Sequence, residues 1–102
     1  MLVTLTDENR VFIGGFSRHF NLKELNMPEH ETQKVIAVGA SHDRYYMTME
    51  DGSVYTNKKI QNFDTTKYYG KAKMYKYACE SGKPLGVKLS GKFKSVIGSA
   101  DC

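Results

Sequence analysis

The dipeptide Asp51-Gly52 constrains the fold of this chain more than any other feature. The run Tyr45–Met49 before it alternates with a period of two, and Val54-Tyr55 follows it. An Asp-Gly pair between strand-like runs is the strongest local signal for a hairpin, because a type I′ turn needs positive φ at both central positions. Upstream, Val35–Val38 is a short, mostly β-branched run that ends at Gly39. The sequence therefore predicts three short antiparallel strands in this stretch.

Strand-like runs and turns alternate along the rest of the chain. Leu2–Thr6 and Val11–Ile13 flank a turn in which Asn9 can replace glycine at positive φ. Residues 16–33 are polar, without clear period, and Pro28 would stop the single helical turn that their leucines allow. Further strands are predicted at Ala72–Tyr77, Val87–Leu89 and Phe93–Ile97. No pattern indicates parallel βαβ units, so the predicted fold class is all-β with antiparallel strands.

Two parts of the chain repeat earlier parts. Thr6–Phe12 resembles Met49–Tyr55, which lies 43 positions later. Val38–His42 resembles Ile97–Asp101, which lies 59 positions later. A unit of roughly 40–60 residues that repeats in an all-β chain is typical of β-propeller blades.

The pattern V-x-V-G-A-S-H followed by M-T-M-E-D-G-S-V-Y-T resembles the repeat of the regulator of chromosome condensation family. That repeat carries a glycine and a histidine before an L-T-x-D-G-x-V-Y-x-W-G hairpin, and it builds seven-bladed propellers. The resemblance implies structural roles for Gly39, His42, Asp51, Gly52, Val54, Tyr55 and Gly98, and partial matches at Val11, Phe12, Gly14 and Gly15. For His42 it implies a hydrogen bond from the inner strand of the blade to the neighbouring turn. Asn57-Lys58 stands where the family has Trp-Gly, and Asp101 replaces its second histidine.

The repeats predict a single β domain over residues 1–102. It divides into a partial repeat at 1–15, a connection at 16–33, a repeat at 34–92 and the start of another repeat at 93–102. About 100 residues hold about two blades, whereas a closed propeller has about four to eight. The strands at the two ends of the chain are therefore expected to pair with a protein partner or a symmetry copy. The alternative is a small, closed β-barrel.

The sequence predicts no catalytic residue, cofactor or metal site. The three histidines lie on separate predicted loops, without cysteine or carboxylate at ligand spacing: His19, His30 and His42. Ser17, Ser41, Ser81 and Cys79 lack the motifs that would make them nucleophiles. Gly14-Gly15 is not followed by the Lys-Ser/Thr of a phosphate-binding loop. The protein is therefore predicted not to be an enzyme.

Charge is distributed unevenly along the chain. Residues 1–55 carry five basic and eight acidic side chains, whereas residues 56–102 carry ten lysines and three acidic side chains. Such asymmetry indicates an anionic partner or a solvated, lysine-rich surface. The segment 67–77 interleaves basic and aromatic side chains that could grip phosphates and stack on bases: Lys67, Tyr68, Tyr69, Lys71, Lys73, Tyr75 and Lys76. The commoner alternative is a strand with its tyrosines inward and its lysines in water.

The function that the resemblance implies is a non-enzymatic protein-interaction or scaffold module within a larger assembly. The alternative is a small basic β-barrel that binds RNA or DNA through segment 67–77. Some family members are exchange factors for small GTPases, but that activity needs an insertion that this sequence does not show. No run approaches the roughly 18 apolar residues of a membrane span. The charged N-terminus and the two cysteines favour an intracellular protein, cytoplasmic or nuclear, over a secreted or membrane protein.

Overall fold

The computed structural model describes residues 2–15, 21–41, 43–59 and 66–78. These residues form eight strands: β1 (Leu2–Leu5), β2 (Val11–Gly14), β3 (Lys23–Leu25), β4 (Val35–Ser41), β5 (Arg44–Met49), β6 (Val54–Thr56), β7 (Thr66–Tyr69) and β8 (Met74–Tyr77). The first sheet has the order β1-β2-β3 and the second β4-β5-β6-β8-β7, with every pair antiparallel. The predicted all-β fold class is confirmed. Among the described residues there is no helix that is long and apolar enough to span a membrane.

The hairpin predicted at Asp51-Gly52 is present, but its turn is not type I′. Gly52 has a φ of 85°, whereas Asp51 is not at positive φ. The Gly52 N–H donates to the Met49 carbonyl over 2.9 Å, and the Met49 N–H donates to the Ser53 carbonyl over 2.8 Å. This is the pattern of a three-residue loop that ends on a left-handed residue, the next commonest hairpin connection. The loop therefore needs glycine at one position rather than at two.

The turn between β1 and β2 has the same geometry. The Asn9 N–H donates to the Thr6 carbonyl over 3.0 Å, and the Thr6 N–H donates to the Arg10 carbonyl over 2.9 Å. Asn9 takes the place of Gly52, with a φ of 61°. The prediction that Asn9 replaces glycine at positive φ is therefore confirmed, and the two turns match bond for bond.

The match extends from the turns to the strands, because β1-β2-β3 and β5-β6-β8 pair in the same register. Val11 pairs with Leu5 and Leu25, just as Val54 pairs with Thr48 and Tyr77. The first two strands repeat at 43 positions and the third at 52, since Leu25 corresponds to Tyr77. We call each set a three-strand unit. The second sheet thus consists of one three-strand unit with β4 on one side and β7 on the other.

Several strands differ from those predicted. The strand β4 does not end at Gly39 but continues to Ser41, because Gly39 pairs in register with Tyr46. Residues 23–25 form β3 within the predicted connection. The predicted strand Ala72–Tyr77 begins only at Met74, because Lys73 has a φ of 55° and belongs to a turn. The predicted strands Val87–Leu89 and Phe93–Ile97 lie outside the described residues, as do His42 and Gly98.

The two sheets pack face to face over one core. Side chains of each three-strand unit fall on two faces, which we call the front and the back. The front faces carry Leu2, Thr4, Phe12 and Glu24 in the first unit and Tyr45, Met47, Tyr55 and Lys76 in the second. The back faces carry Val3, Leu5, Val11, Ile13, Lys23 and Leu25 in the first and Tyr46, Thr48, Val54, Thr56, Tyr75 and Tyr77 in the second. The front of the second unit packs against the back of the first.

The centre of the second sheet is buried on both faces. On its front, Met47, Tyr55 and Met74 have no exposed surface, and on its back neither do Val54 and Tyr77. The alternation in Tyr45–Met49 therefore separates two buried faces rather than a core face from a wet one. Burial raises the pKa of Tyr45 to about 12.

A short segment before β4 links the two turns. The Asn9 side-chain amide donates to the Val35 carbonyl over 2.8 Å and accepts from the Val35 N–H over 2.9 Å, as a neighbouring strand would. Lys34 N–H donates to the Glu50 carboxylate over 2.6 Å. The Asp51 N–H donates to the Gln33 side-chain oxygen over 2.9 Å. Residues 33–35 thus hold the equivalent turns of both units at one end of the molecule.

Candidate functional site

An open groove of about 550 Å³ separates the β3–β4 connection from the β7–β8 hairpin. Its lining is mostly apolar and aromatic, with a few polar groups: Asn26, Met27, Pro28, Glu29, His30, Tyr68, Tyr69, Gly70, Lys71 and Ala72. Clefts that are mostly apolar with a few polar groups are the usual binding sites for small molecules. We therefore treat the groove as the candidate functional site.

Two polar contacts join the walls of the groove. His30 Nε2 lies 3.2 Å from the Tyr69 hydroxyl, and the two rings are 4.9 Å apart. Lys71 Nζ lies 2.8 Å from a Glu29 carboxylate oxygen. Both side chains of this ion pair are more than four-fifths exposed, so it contributes little to stability and can open at low cost. The His30–Tyr69 link is thus a contact between two rings, and the Lys71–Glu29 link is an exposed ion pair.

Behind Tyr69, which forms the aromatic wall of the groove, lies a buried carboxylate. Glu31 accepts hydrogen bonds from the Tyr55 hydroxyl, from the Gln33 N–H over 3.2 Å and from Lys76 Nζ over 3.3 Å. Its side chain is only 4% exposed, and that of Lys76 is 20% exposed. Burial disfavours the charged carboxylate, but these donors and the lysine charge outweigh it, so the pKa of Glu31 is lowered. Glu31 is therefore an ionised carboxylate at neutral pH.

Tyr55 connects this carboxylate to the groove. Burial, followed by the hydrogen bond and charge of Glu31, raises the pKa of its hydroxyl, which stays a donor. Its ring lies 6.0 Å from that of Tyr69, and Lys76 Nζ lies 5.4 Å from the centre of the Tyr55 ring. Because Tyr55 has no exposed surface, Glu31 and Tyr55 are placed to fix the aromatic wall rather than to act on a solute. No local signal in the sequence joins Glu31 to Tyr55, 24 positions apart.

The described repeat positions lie in β4, the β5–β6 turn and β6. Asp51 Oδ1 accepts from the Ser53 N–H over 2.9 Å and from the Ser53 hydroxyl over 2.6 Å. Partial burial opposes the charge of Asp51, but the hydrogen bonds from Ser53 and Gln33 prevail and lower its pKa. Gly52 supplies the positive φ, and Val54 begins the buried strand β6. Asp51 and Gly52 therefore shape the turn and do not meet the groove.

Segment 67–77 does not form one basic and aromatic surface. It is a hairpin in which Lys67, Tyr69 and Lys76 share a face with Met74, whereas Tyr68 and Tyr75 lie on the other face. Lys71 and Lys73 lie in the turn between the strands. The expectation of tyrosines inward and lysines in water holds in part, since Tyr77 is buried and three of the lysines are exposed: Lys67, Lys71 and Lys73. It fails for Lys76, which is mostly buried against Glu31, and for Tyr68, which is 52% exposed.

Across residues 2–15, 21–41, 43–59 and 66–78, no group of three or more His, Cys, Asp or Glu side chains is arranged to hold a metal ion. Of the four residues that lack a nucleophile motif, Ser41 ends β4, and three fall outside those ranges: Ser17, Ser81 and Cys79. His30, on the groove wall, contacts Tyr69.

No protein-family model, curated protein sequence or solved structure gives a significant match to this chain. The resemblance to regulator of chromosome condensation repeats thus stays a prediction.

Proposed function

We propose that this protein is a non-enzymatic interaction or scaffold module, built from blades of the propeller-repeat type and acting within a larger assembly. The observation that carries the proposal is the repeated three-strand unit. Its two copies share turn geometry and register, and they stack front to back. Neighbouring blades of a propeller have this relation, in which each sheet covers the next.

Burial in the second sheet agrees with this proposal. A blade within a propeller lies between two others, and both faces of the second sheet are buried. The first sheet differs, because on its front face Leu2 is 37% exposed and Thr4 is exposed. Repeat architectures need their end units to be covered, because an exposed apolar face or strand edge invites association. A module of this kind is stable and useful when it joins another polypeptide.

The nucleic-acid alternative is favoured by one specific feature. Tyr68 is half exposed, its ring lies 4.6 Å from that of Tyr75, and Lys67, Lys71 and Lys73 project from the same hairpin. Aromatic rings beside lysine side chains can bind single-stranded nucleic acid, because bases stack on the rings and the lysines contact the phosphates. However, Lys71 already pairs with Glu29 and Lys76 with Glu31, which reduces the free positive charge on this surface.

Sedimentation equilibrium and a nucleic-acid titration together test the proposal. We expect the purified chain to associate in sedimentation equilibrium. We also expect its affinity for a fluorescent oligothymidine to show no steep dependence on salt between 50 and 200 mM. Binding driven by six to ten phosphate contacts would lose about 10³–10⁵ in affinity over that range. The double variant Lys71→Gln/Lys73→Gln should then behave like Lys34→Gln/Lys59→Gln, which removes the same charge from two other exposed positions.

A different pair of results would contradict the proposal. One is a monomer in which hydrogen exchange shows the β1 amides to be fully protected. The other is salt-dependent binding of the oligothymidine that Lys71→Gln/Lys73→Gln abolishes and the control pair does not. Lys76 is left unchanged in these variants, because its removal would leave Glu31 buried without its cation.

A further inference from the structure

The front face of the first sheet differs sharply in exposure from the same face of the second. Tyr45, Met47 and Tyr55 on the second unit are 3%, 0% and 0% exposed. At the equivalent positions of the first unit, Leu2 is 37% exposed, Thr4 is exposed and Phe12 is partly buried. The two faces are built on the same register, but they differ in their side chains, since Thr4 stands where the second unit has Met47, and in the sheet that covers the second of them.

The covering of the second front face is known in detail. It is the back face of the first sheet, which carries the exposed Lys23 on its edge strand and otherwise mainly branched aliphatic side chains: Val3, Leu5, Val11, Ile13 and Leu25. Aromatic and sulfur-containing side chains on one sheet thus meet aliphatic side chains on the other. This pairing is the pattern that a cover for the first front face would follow.

Charges on the two front faces are satisfied differently. On the second, Lys76 pairs with Glu31, which belongs to the connection that follows the covering sheet. On the first, the corresponding residue is Glu24, and Arg10 of the same sheet binds both of its carboxylate oxygens at 2.9 and 2.8 Å. The Arg10 guanidinium also lies 5.2 Å from the centre of the Phe12 ring. The first front face therefore has its own counter-ion and needs no charged group from a partner.

We propose that the front face of the first sheet is a docking surface for a further β-sheet, supplied by another polypeptide, whose apposed face is mainly branched aliphatic. The proposal rests on the proposed function and names the partner surface that the module would meet. Leu2 and Phe12 are the anchors. The Arg10–Glu24 pair, whose guanidinium lies over the Phe12 ring, forms the polar part of the surface. The back face of the first sheet packs on the front face of the second, and the partner sheet packs on the front face of the first in the same way.

The repeat itself supplies a probe for this surface. Residue 44 corresponds to residue 1 at the 43-position period, so a chain in which residues 1–43 are duplicated in tandem ahead of the full chain preserves the register at the junction. The added copy carries the same aliphatic back face. We expect it to cover Leu2 and Phe12 of the following unit and to raise the thermal unfolding midpoint by several degrees, since stability in stacked repeats grows with each interface.

Phe12→Asp can be placed at either of two equivalent positions in the duplicated chain. In the full chain that follows the added copy, Phe12 lies at the new interface, and there the substitution should lower the unfolding midpoint by about 5 °C or more. In the added copy Phe12 is again on an outer face, and the same substitution should leave the midpoint within about 2 °C. Strand content by circular dichroism, which should rise with the added copy, confirms that it folds.

Equal effects of the two Phe12→Asp substitutions, or no gain in midpoint and strand content on duplication, would overturn the proposal. These results are separate from those that test the proposed function. A chain that associates while its duplicated copy stays unpacked contradicts only the docking surface. A monomer that binds nucleic acid while its duplicated copy packs contradicts only the assembly role.

Discussion

At the scale of single residues, three turns depend on a left-handed backbone. Asn9, Gly52 and Lys73 have φ angles of 61°, 85° and 55°. Glycine and asparagine adopt this region at little cost, whereas lysine does so under mild strain. The three residues therefore differ in how much their turns would change on substitution.

Replacing Gly52 by valine should destabilise the protein by more than about 1 kcal/mol, because a β-branched side chain is strained at positive φ. Urea unfolding of the variant and the parent measures the difference. Gly15→Val is the control, since Gly15 is not at positive φ and a Cβ there meets no atom within 4 Å. Equal losses at the two positions would show that side-chain size, not the backbone angle, decides the effect.

A second residue-scale prediction concerns Glu31 and pH. Its pKa is lowered in the folded protein, so its contribution to stability is present above the ordinary value of 4.5 and is lost as pH falls through the lowered value. Glu31→Gln should therefore be less stable than the parent at pH 7, by about 1–3 kcal/mol, and the gap should narrow in acid. Urea midpoints from pH 7 down to pH 3 give the gap.

The control for this titration is Glu8→Gln, which removes a carboxylate whose side chain is 81% exposed. Its stability difference from the parent should be small throughout. If the Glu31→Gln gap stayed constant with pH, the ionised carboxylate would not be the stabilising form.

Sequence reasoning reached some of these residues and not others. Asn9 and Gly52 could be predicted, because both residue types favour turns and both follow strand-like runs. Lys73 could not, because lysine carries no preference for positive φ and the alternation around it continued into the turn. Glu31 could not either, since its partners Tyr55 and Lys76 are brought to it by the packing of separate elements.

At the scale of elements, the β7–β8 hairpin departs most from what the sequence suggested. Segment 67–77 interleaves lysines with tyrosines on both sides of Gly70, yet the chain reverses between Gly70 and Lys73. The sequence pattern does not show where the chain reverses direction when the same residue types occur on both sides of the turn. The β5–β6 hairpin was predictable for the opposite reason, since Asp51-Gly52 interrupts its pattern.

Within this hairpin, Lys73→Gly should stabilise the protein by up to about 1 kcal/mol, because glycine relieves the left-handed strain. Lys71→Gly in the same turn should have the opposite sign, since Lys71 is not at positive φ and glycine there only adds freedom to the unfolded chain. Thermal unfolding of the two variants compares them directly. A loss of stability in Lys73→Gly would place the turn in another conformation.

At the scale of the whole molecule, the two sheets share one core and should unfold together. Val11 of the first sheet is 2% exposed and packs in the same cluster as Met47 and Tyr55 of the second. The chain has seven tyrosines and no tryptophan, and all seven tyrosines lie on strands of the second sheet. Tyrosine fluorescence therefore reports the second sheet alone.

Val11→Ala should lower stability by about 1–3 kcal/mol and should shift the tyrosine-detected transition by the same amount as the transition seen by circular dichroism. Thr4→Ala, on the exposed front face of the same sheet, should change stability by less than about 0.5 kcal/mol. If Val11→Ala produced an early transition without a tyrosine signal, the sheets would be independent units.

The unequal spacing of the two three-strand units has a consequence for how such a chain can lengthen. The first two strands recur after 43 positions and the third after 52, and the surplus accompanies β7 at the outer edge of the second sheet. The residues inserted between β6 and β8, which include β7, change none of the residue pairs that the two three-strand units share. The inserted residues still contact the interior, since Tyr69 and Ala72 pack against the core. A repeat of this design can therefore acquire new surface at its rim while the register of its stacked strands stays unchanged.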